Sequence, residues 1–141
     1  MHLLSNDDVA DLLLASKQFK ILVPLETLRS MCDNEILTEL FENMIDYALR
    51  YTESVCRWQR MAMEDPSSFD DRATRQAIED TRHTVHTAFN DHVNILSRTM
   101  VLLGKSTKWR ELIGHNRPDL GRFALALSFE YIKQPNKGGV Q

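Results

Sequence analysis

The sequence is poor in the features that mark several common classes of protein. It has only two cysteines, Cys32 and Cys56, whereas a small secreted scaffold usually carries a framework of them. No apolar run approaches the ~20 residues that a membrane-spanning helix needs. The first residues carry acids and no basic segment before an apolar run, so they do not resemble a signal peptide. We therefore expect a cytoplasmic protein without a membrane partner.

An excess of basic charge is also missing. The chain has 17 lysines and arginines against 20 acidic residues, which gives a net charge of −3 and argues against a broad surface for nucleic acid. The Leu25–Leu40 region could imitate a helix-turn-helix, but its second helix would present Glu35, Glu39 and Glu42 to DNA. Those charges oppose phosphate contact, so we expect no nucleic-acid partner.

Familiar catalytic motifs are absent as well. Gly104-Lys105-Ser106 resembles the end of a phosphate-binding loop, but the loop needs a glycine where Thr99 stands and should follow a strand. The chain has no Cys-x-x-Cys pair and no Gly-x-Ser-x-Gly elbow. The sequence therefore assigns no catalytic residue and leaves any cofactor unknown.

What the sequence does have is helical periodicity. Three stretches, about 70–103, 34–63 and 118–133, repeat apolar residues at the three- and four-residue steps of an amphipathic helix. The expected buried positions of the first are Ile78, Val85, Phe89, Val93, Leu96, Met100 and Leu103. Those of the second are Leu37, Leu40, Phe41, Met44, Ile45, Ala48, Thr52, Val55 and Trp58. Those of the third are Leu120, Phe123, Ala124, Leu127 and Tyr131.

Shorter elements complete the predicted architecture. A helix should start at Ser5, the alternating segment 17–23 reads as a connector, and Pro24 should open one or two helical turns. A loop at 65–68 makes the two long helices antiparallel, and a short helix is expected at 106–113. The sequence predicts an all-α, up-and-down bundle of about four main helices with one or two short extra ones. Residues 1–134 should form one domain, and residues 135–141 a flexible tail.

A polar stripe runs along the 70–103 helix, at His86, Asn90, Asn94 and Arg98. Asparagine forms helix poorly, so its presence at two interior positions indicates that the stripe hydrogen-bonds to something. Three interpretations remain open: a plain solvated face, a ligand site, or a structural network. In the network, Asn94 and Arg98 would tie the loop at 114–118 to the long helix.

The ligand interpretation assigns a role to each member of the stripe. His86 would be the acid, base or ligand, Asn90 and Asn94 would orient the bound molecule, and Arg98 or Arg117 would hold an anion.

A metal site is a second possibility on the same helix. His83 and His86 form His-x-x-His, and Glu79 lies four residues before His83. This spacing can place the two imidazoles on one side of a helix, as metal sites need. Acids of the 34–63 helix could complete the site or could form a solvated stripe.

Two other residues are interpreted structurally. His92, between Phe89 and Leu96, is expected to be a hydrogen-bonded core histidine. Gly121 inside the last helix costs about 1 kcal/mol against alanine, and close approach of another helix would explain it.

Two segments carry a resemblance to a known family. Residues 86–98 contain His86, then a turn of small or apolar residues, and then Val-Asn-Ile-Leu-Ser-Arg at 93–98. Residues 116–124 read Asn-Arg-Pro-Asp-Leu-Gly-Arg-Phe-Ala. The pair resembles a family of small bacterial all-helical proteins of unknown function. Ser97 and Asn116 depart from its pattern, where asparagine and aspartate are expected. The marked positions that match are His86, Asn94, Arg98, Arg117, Gly121 and Phe123. The resemblance implies that the polar stripe and the start of the last helix belong together.

Two functions are compatible with these patterns. The first is a non-catalytic protein-interaction or homo-oligomeric module, favoured by the missing catalytic motifs, the six methionines and the long amphipathic helices. The alternative is a small-molecule or metal-binding protein or enzyme, with a polar site between the 70–103 and 118–133 helices.

Overall fold

The structure is a computed structural model that describes residues 25–114 and 116–133. Every regular element in these two ranges is a helix, which confirms the predicted all-α bundle. The helices are α1 Leu25–Met31, α2 Glu35–Glu64, α3 Pro66–Asp70, α4 Arg72–Leu102, α5 Lys108–Ile113 and α6 Arg117–Lys133. The predicted helix from Ser5, the connector at 17–23 and the tail at 135–141 lie outside the described residues. The division into one domain and a tail stays a prediction.

The long helices begin at side-chain caps. Asn34 Oδ1 accepts from the Leu37 amide at 2.9 Å at the start of α2, and an Asp71 carboxylate oxygen accepts from the Thr74 amide at 2.9 Å at the start of α4.

The predicted loop at 65–68 is wrong in part, because α3 forms there. Proline suits the first position of a helix, since its missing N–H needs no partner at that position.

Paired contacts show that α2 and α4 are antiparallel. The Tyr47 ring stacks on His92 with centroids 4.5 Å apart, and the Arg82 guanidinium lies 5.0 Å from the Trp58 ring. As the residue number rises along α2, the partner number falls along α4. No described helix is both long and apolar enough to cross a membrane.

The core lies where α1, α2, α4 and α6 meet. It follows the predicted apolar faces except at six positions. Four of these are only half-buried, namely Leu40, Val55, Trp58 and Val85, and two are exposed, namely Leu103 and Tyr131. His86 is buried in the turn where Val85 was expected, and Ile132 packs against the core near the end of α6. The main buried apolar residues are Leu25, Leu28, Leu37, Phe41, Met44, Ile45, Ala48, Phe89, Val93, Leu96, Met100, Trp109, Phe123, Ala124 and Leu127.

Leu103 is exposed because α4 ends before it. Gly104 adopts φ +74°, its amide donates to the Val101 carbonyl at 3.1 Å, and the Lys105 amide donates to the Met100 carbonyl at 2.8 Å. This is the Schellman arrangement, in which glycine is the favoured residue at the position with positive φ. The chain therefore turns away from the helix axis at Leu103 instead of extending the buried face.

The segment after α4 folds back along that helix. The Trp109 indole N–H donates to the Met100 sulfur at 3.2 Å, Arg110 contacts Asn94, and Arg117 contacts His86. These partners lie progressively earlier on α4. As a result, α6 begins beside the middle of α4, next to the polar stripe.

Candidate functional site

The polar stripe and the start of α6 meet at His86. This side chain is only 5% exposed, and its Nε2 lies 3.0 Å from the backbone carbonyl oxygen of Arg117. A carbonyl oxygen only accepts hydrogen bonds, so the neutral ring carries its proton on Nε2 and donates it. The imidazole therefore fastens the first residue of α6 to α4.

The surroundings of His86 favour its neutral form. Burial lowers the pKa of His86, the hydrogen bond to the Arg117 carbonyl raises it, and the positive charges of Arg117 and His83 lower it, with a net lowering from the ordinary value. The Tyr51 ring from α2 meets the imidazole edge-on, with centroids 5.4 Å apart. Three helices therefore meet at a histidine that stays uncharged at neutral pH.

Asn94 links the stripe to α5. Its Oδ1 accepts from Nε and Nη2 of Arg110, each at 3.4 Å, and its Nδ2 donates to Asn90 Oδ1 at 3.5 Å. Both asparagines are half-buried. The stripe's amides therefore interact with each other and with a side chain on α5.

Arg110 is the residue of this site that sequence reasoning missed. It is 8% exposed, and its Nη1 donates to the Gly114 carbonyl at 2.6 Å. Burial lowers the pKa of Arg110. A signal was available in the sequence, because basic side chains in the last turn of a helix often donate to its terminal carbonyls.

The remaining predicted anion ligands are placed differently. Arg98 is exposed, and no hydrogen bond or ion pair joins it to Asn94 or to the described residues of the loop at 114–118. Arg110 therefore provides the tie that the network interpretation assigned to Arg98. Arg117 contributes its backbone carbonyl to His86, and its side chain is exposed.

The predicted metal ligands do not come together. Glu79 pairs with Arg82 at 3.1 Å, His83 is exposed, and His86 is turned toward α6. Across residues 25–114 and 116–133, no three His, Cys, Asp or Glu side chains are grouped closely enough to hold a metal ion.

Two further predictions concern contacts around the stripe. His92 is half-buried, and its Nδ1 donates to the Ala88 carbonyl at 2.7 Å while its ring stacks on Tyr47. Gly121 faces Tyr51, and a Cβ built on it would lie 2.9 Å from the tyrosine hydroxyl oxygen, so the predicted close approach is confirmed.

The buried polar side-chain atoms of the described part of the chain all have partners. No buried side-chain nitrogen or oxygen there lacks a hydrogen-bond partner. The stripe therefore holds α5 and the start of α6 against α4.

Comparisons of the chain with protein-family models, with curated proteins and with solved structures found no match. The resemblance to small bacterial helical proteins stays a prediction.

Proposed function

We propose that this chain is a cytoplasmic, non-catalytic helical module that functions by associating with protein, and that the partner is a second copy of the chain. One observation carries the proposal. Three consecutive apolar side chains are exposed where α4 ends, a surface that we call the apolar α4 end. It consists of Val101, Leu102 and Leu103.

The exposure of the apolar α4 end is large. Leu102 is 84% exposed and Val101 is 60% exposed. Complete burial of a leucine or valine is worth about 1.5–3 kcal/mol, so covering these side chains favours association. Grouped exposed apolar residues are typical of protein-binding surfaces, whereas single ones are common on any protein.

A second copy suits this surface because an apolar patch is complementary to itself. Two-fold symmetric dimers, which are the commonest oligomers, bring the same patch of both chains together. The net charge of −3 produces little repulsion between two copies. The polar stripe is consistent with this proposal, since its groups bind one another and support the bundle.

Sedimentation equilibrium over a wide concentration range tests the proposal. We expect the unaltered protein to form dimers reversibly, and Leu102→Asp to shift it to monomers because a carboxylate would be buried in the interface. Met63→Asp is the matched control: Met63 is 82% exposed and lies near the end of α2, which the antiparallel packing places at the other end of the bundle.

Far-UV circular dichroism should show that both variants remain folded. An unaltered protein that stays monomeric at all concentrations contradicts the proposal. Equal dissociation of the Leu102→Asp and Met63→Asp variants would contradict the location of the interface.

A further inference from the structure

Arg110 is a buried cation whose partners in the structure are all neutral. Its guanidinium donates to the Gly114 carbonyl at 2.6 Å and to Asn94 Oδ1 twice at 3.4 Å. These contacts use three of its five N–H groups. The side chain is held in place, but none of the described residues balances its charge.

No carboxylate compensates Arg110 within residues 25–114 and 116–133. The ion pairs there belong to other cations, among them Arg29, Arg50, Arg82, Lys105 and Arg122. Asp119 packs against the Cα of Gly114, but its carboxylate is paired with Arg122 at 2.6 Å. Removing a cation from water without a counter-charge is costly, and buried charges in proteins are normally paired.

We propose that Arg110 binds an anion that carries a carboxylate or phosphate group, with Asn94 and the Gly114 carbonyl holding the guanidinium in position. The planar guanidinium presents parallel N–H groups that match two oxygens of either anion. The bound oxyanion would supply the counter-charge that the described residues lack. This site shares no residue with the apolar α4 end, and its ligand does not depend on dimer formation.

Thermal unfolding in matched salts tests the site. The probes are low-millimolar inorganic phosphate, sodium acetate and sodium chloride at equal ionic strength. Phosphate or acetate should raise the melting temperature by at least about 2 °C relative to chloride. A response to phosphate alone indicates a phosphate-bearing ligand, a response to acetate alone indicates a carboxylate ligand, and no response to either would overturn the proposal.

Asn94→Asp makes the test specific, because it places a carboxylate of nearly the same shape beside Arg110. We expect this variant to melt at a higher temperature than the unaltered protein in chloride and to lose the response to the oxyanion. Arg98→Gln is the control, since it removes an exposed arginine from the same helix and should keep the full response. An undiminished response in Asn94→Asp would overturn the site.

A second readout does not depend on stability. In ¹⁵N-labelled protein, the Nε–H resonance of Arg110 should move during the phosphate or acetate titration, and that of Arg98 should not. Equal movement of both resonances would indicate general charge screening and would also overturn the proposal.

Discussion

Tyr51 on α2 lies so close to Gly121 on α6 that a Cβ at position 121 would be 2.9 Å from the tyrosine hydroxyl oxygen and 3.5 Å from the ring carbon that bears it. The hydroxyl is therefore the only tyrosine atom closer to that Cβ than an ordinary contact. Alanine is a better helix former than glycine by about 1 kcal/mol, and that gain competes with the contact.

The two effects can be separated by combining two substitutions. In a Tyr51→Phe background, Gly121→Ala should stabilise the protein by about 1 kcal/mol, because the close hydroxyl is gone. With Tyr51 present, Gly121→Ala should stabilise the protein by about 1 kcal/mol less than it does in the Tyr51→Phe background, because the tyrosine must shift. Urea unfolding of the four proteins measures the difference, and equal effects in both backgrounds would contradict the contact.

The buried His86 predicts a loss of stability on acidification. Its folded-state pKa is lowered by burial, so the unfolded chain binds the proton more readily. The free energy of unfolding should be constant above the unfolded pKa of about 6.5 and fall as the pH drops from there toward the folded pKa.

Urea unfolding between about pH 7.5 and about pH 5 measures this dependence. His86→Gln, which keeps an N–H for the Arg117 carbonyl, should flatten the curve. His83→Gln changes an exposed histidine one turn away and should leave the curve steep. If the two variants flatten the curve equally, the effect does not belong to His86.

The backbone at Gly114 predicts a cost for any side chain there. Gly114 has φ +90° and ψ 175°, a region that only glycine adopts readily, and Asp119 occupies the space where a Cβ would project. Gly114→Ala should cost about 2 kcal/mol or more.

Gly104→Ala is the matched comparison for that change. Gly104 also has positive φ, +74°, but apart from its chain neighbours no atom of the described residues lies within 4 Å of a built Cβ. This variant should cost only about 1 kcal/mol. Denaturant unfolding ranks the two, and a larger loss at Gly104 would contradict the crowding at Gly114.

Cys32 should be a slow nucleophile. Burial, together with the negative charge of Asp33, raises the pKa of its thiol to about 11, while Lys105 lowers it. In a Cys56→Ser background, which leaves one thiol, iodoacetamide should react slowly at neutral pH because the thiolate is scarce. Asp33→Asn should speed this reaction and Lys105→Gln should slow it. The urea-unfolded protein gives the reference rate, and the opposite order of the two variants would contradict the assignment.

The sequence predicts those members of the site that share one helix, because their spacing shows which side they occupy. It does not predict contacts that form only when a later helix folds back along an earlier one. His86, Asn90 and Asn94 share one side of α4 because of their four-residue spacing. Arg110 meets Asn94 across sixteen residues, and only after α5 folds back along α4. Nothing in the local spacing indicates that return, which is why Arg98 was given the role that Arg110 performs.

Helix type and helix ends were determined by the sequence itself. Apolar periodicity, the Asn34 cap and the Gly104 terminus act within one or two turns, so they can be interpreted without knowledge of the fold. The tertiary structure decided which polar group is buried, which cation the described residues leave without a counter-charge and which leucines remain exposed. Those outcomes depend on how helices far apart in sequence pack, and packing energy is shared among residues that no local pattern brings together.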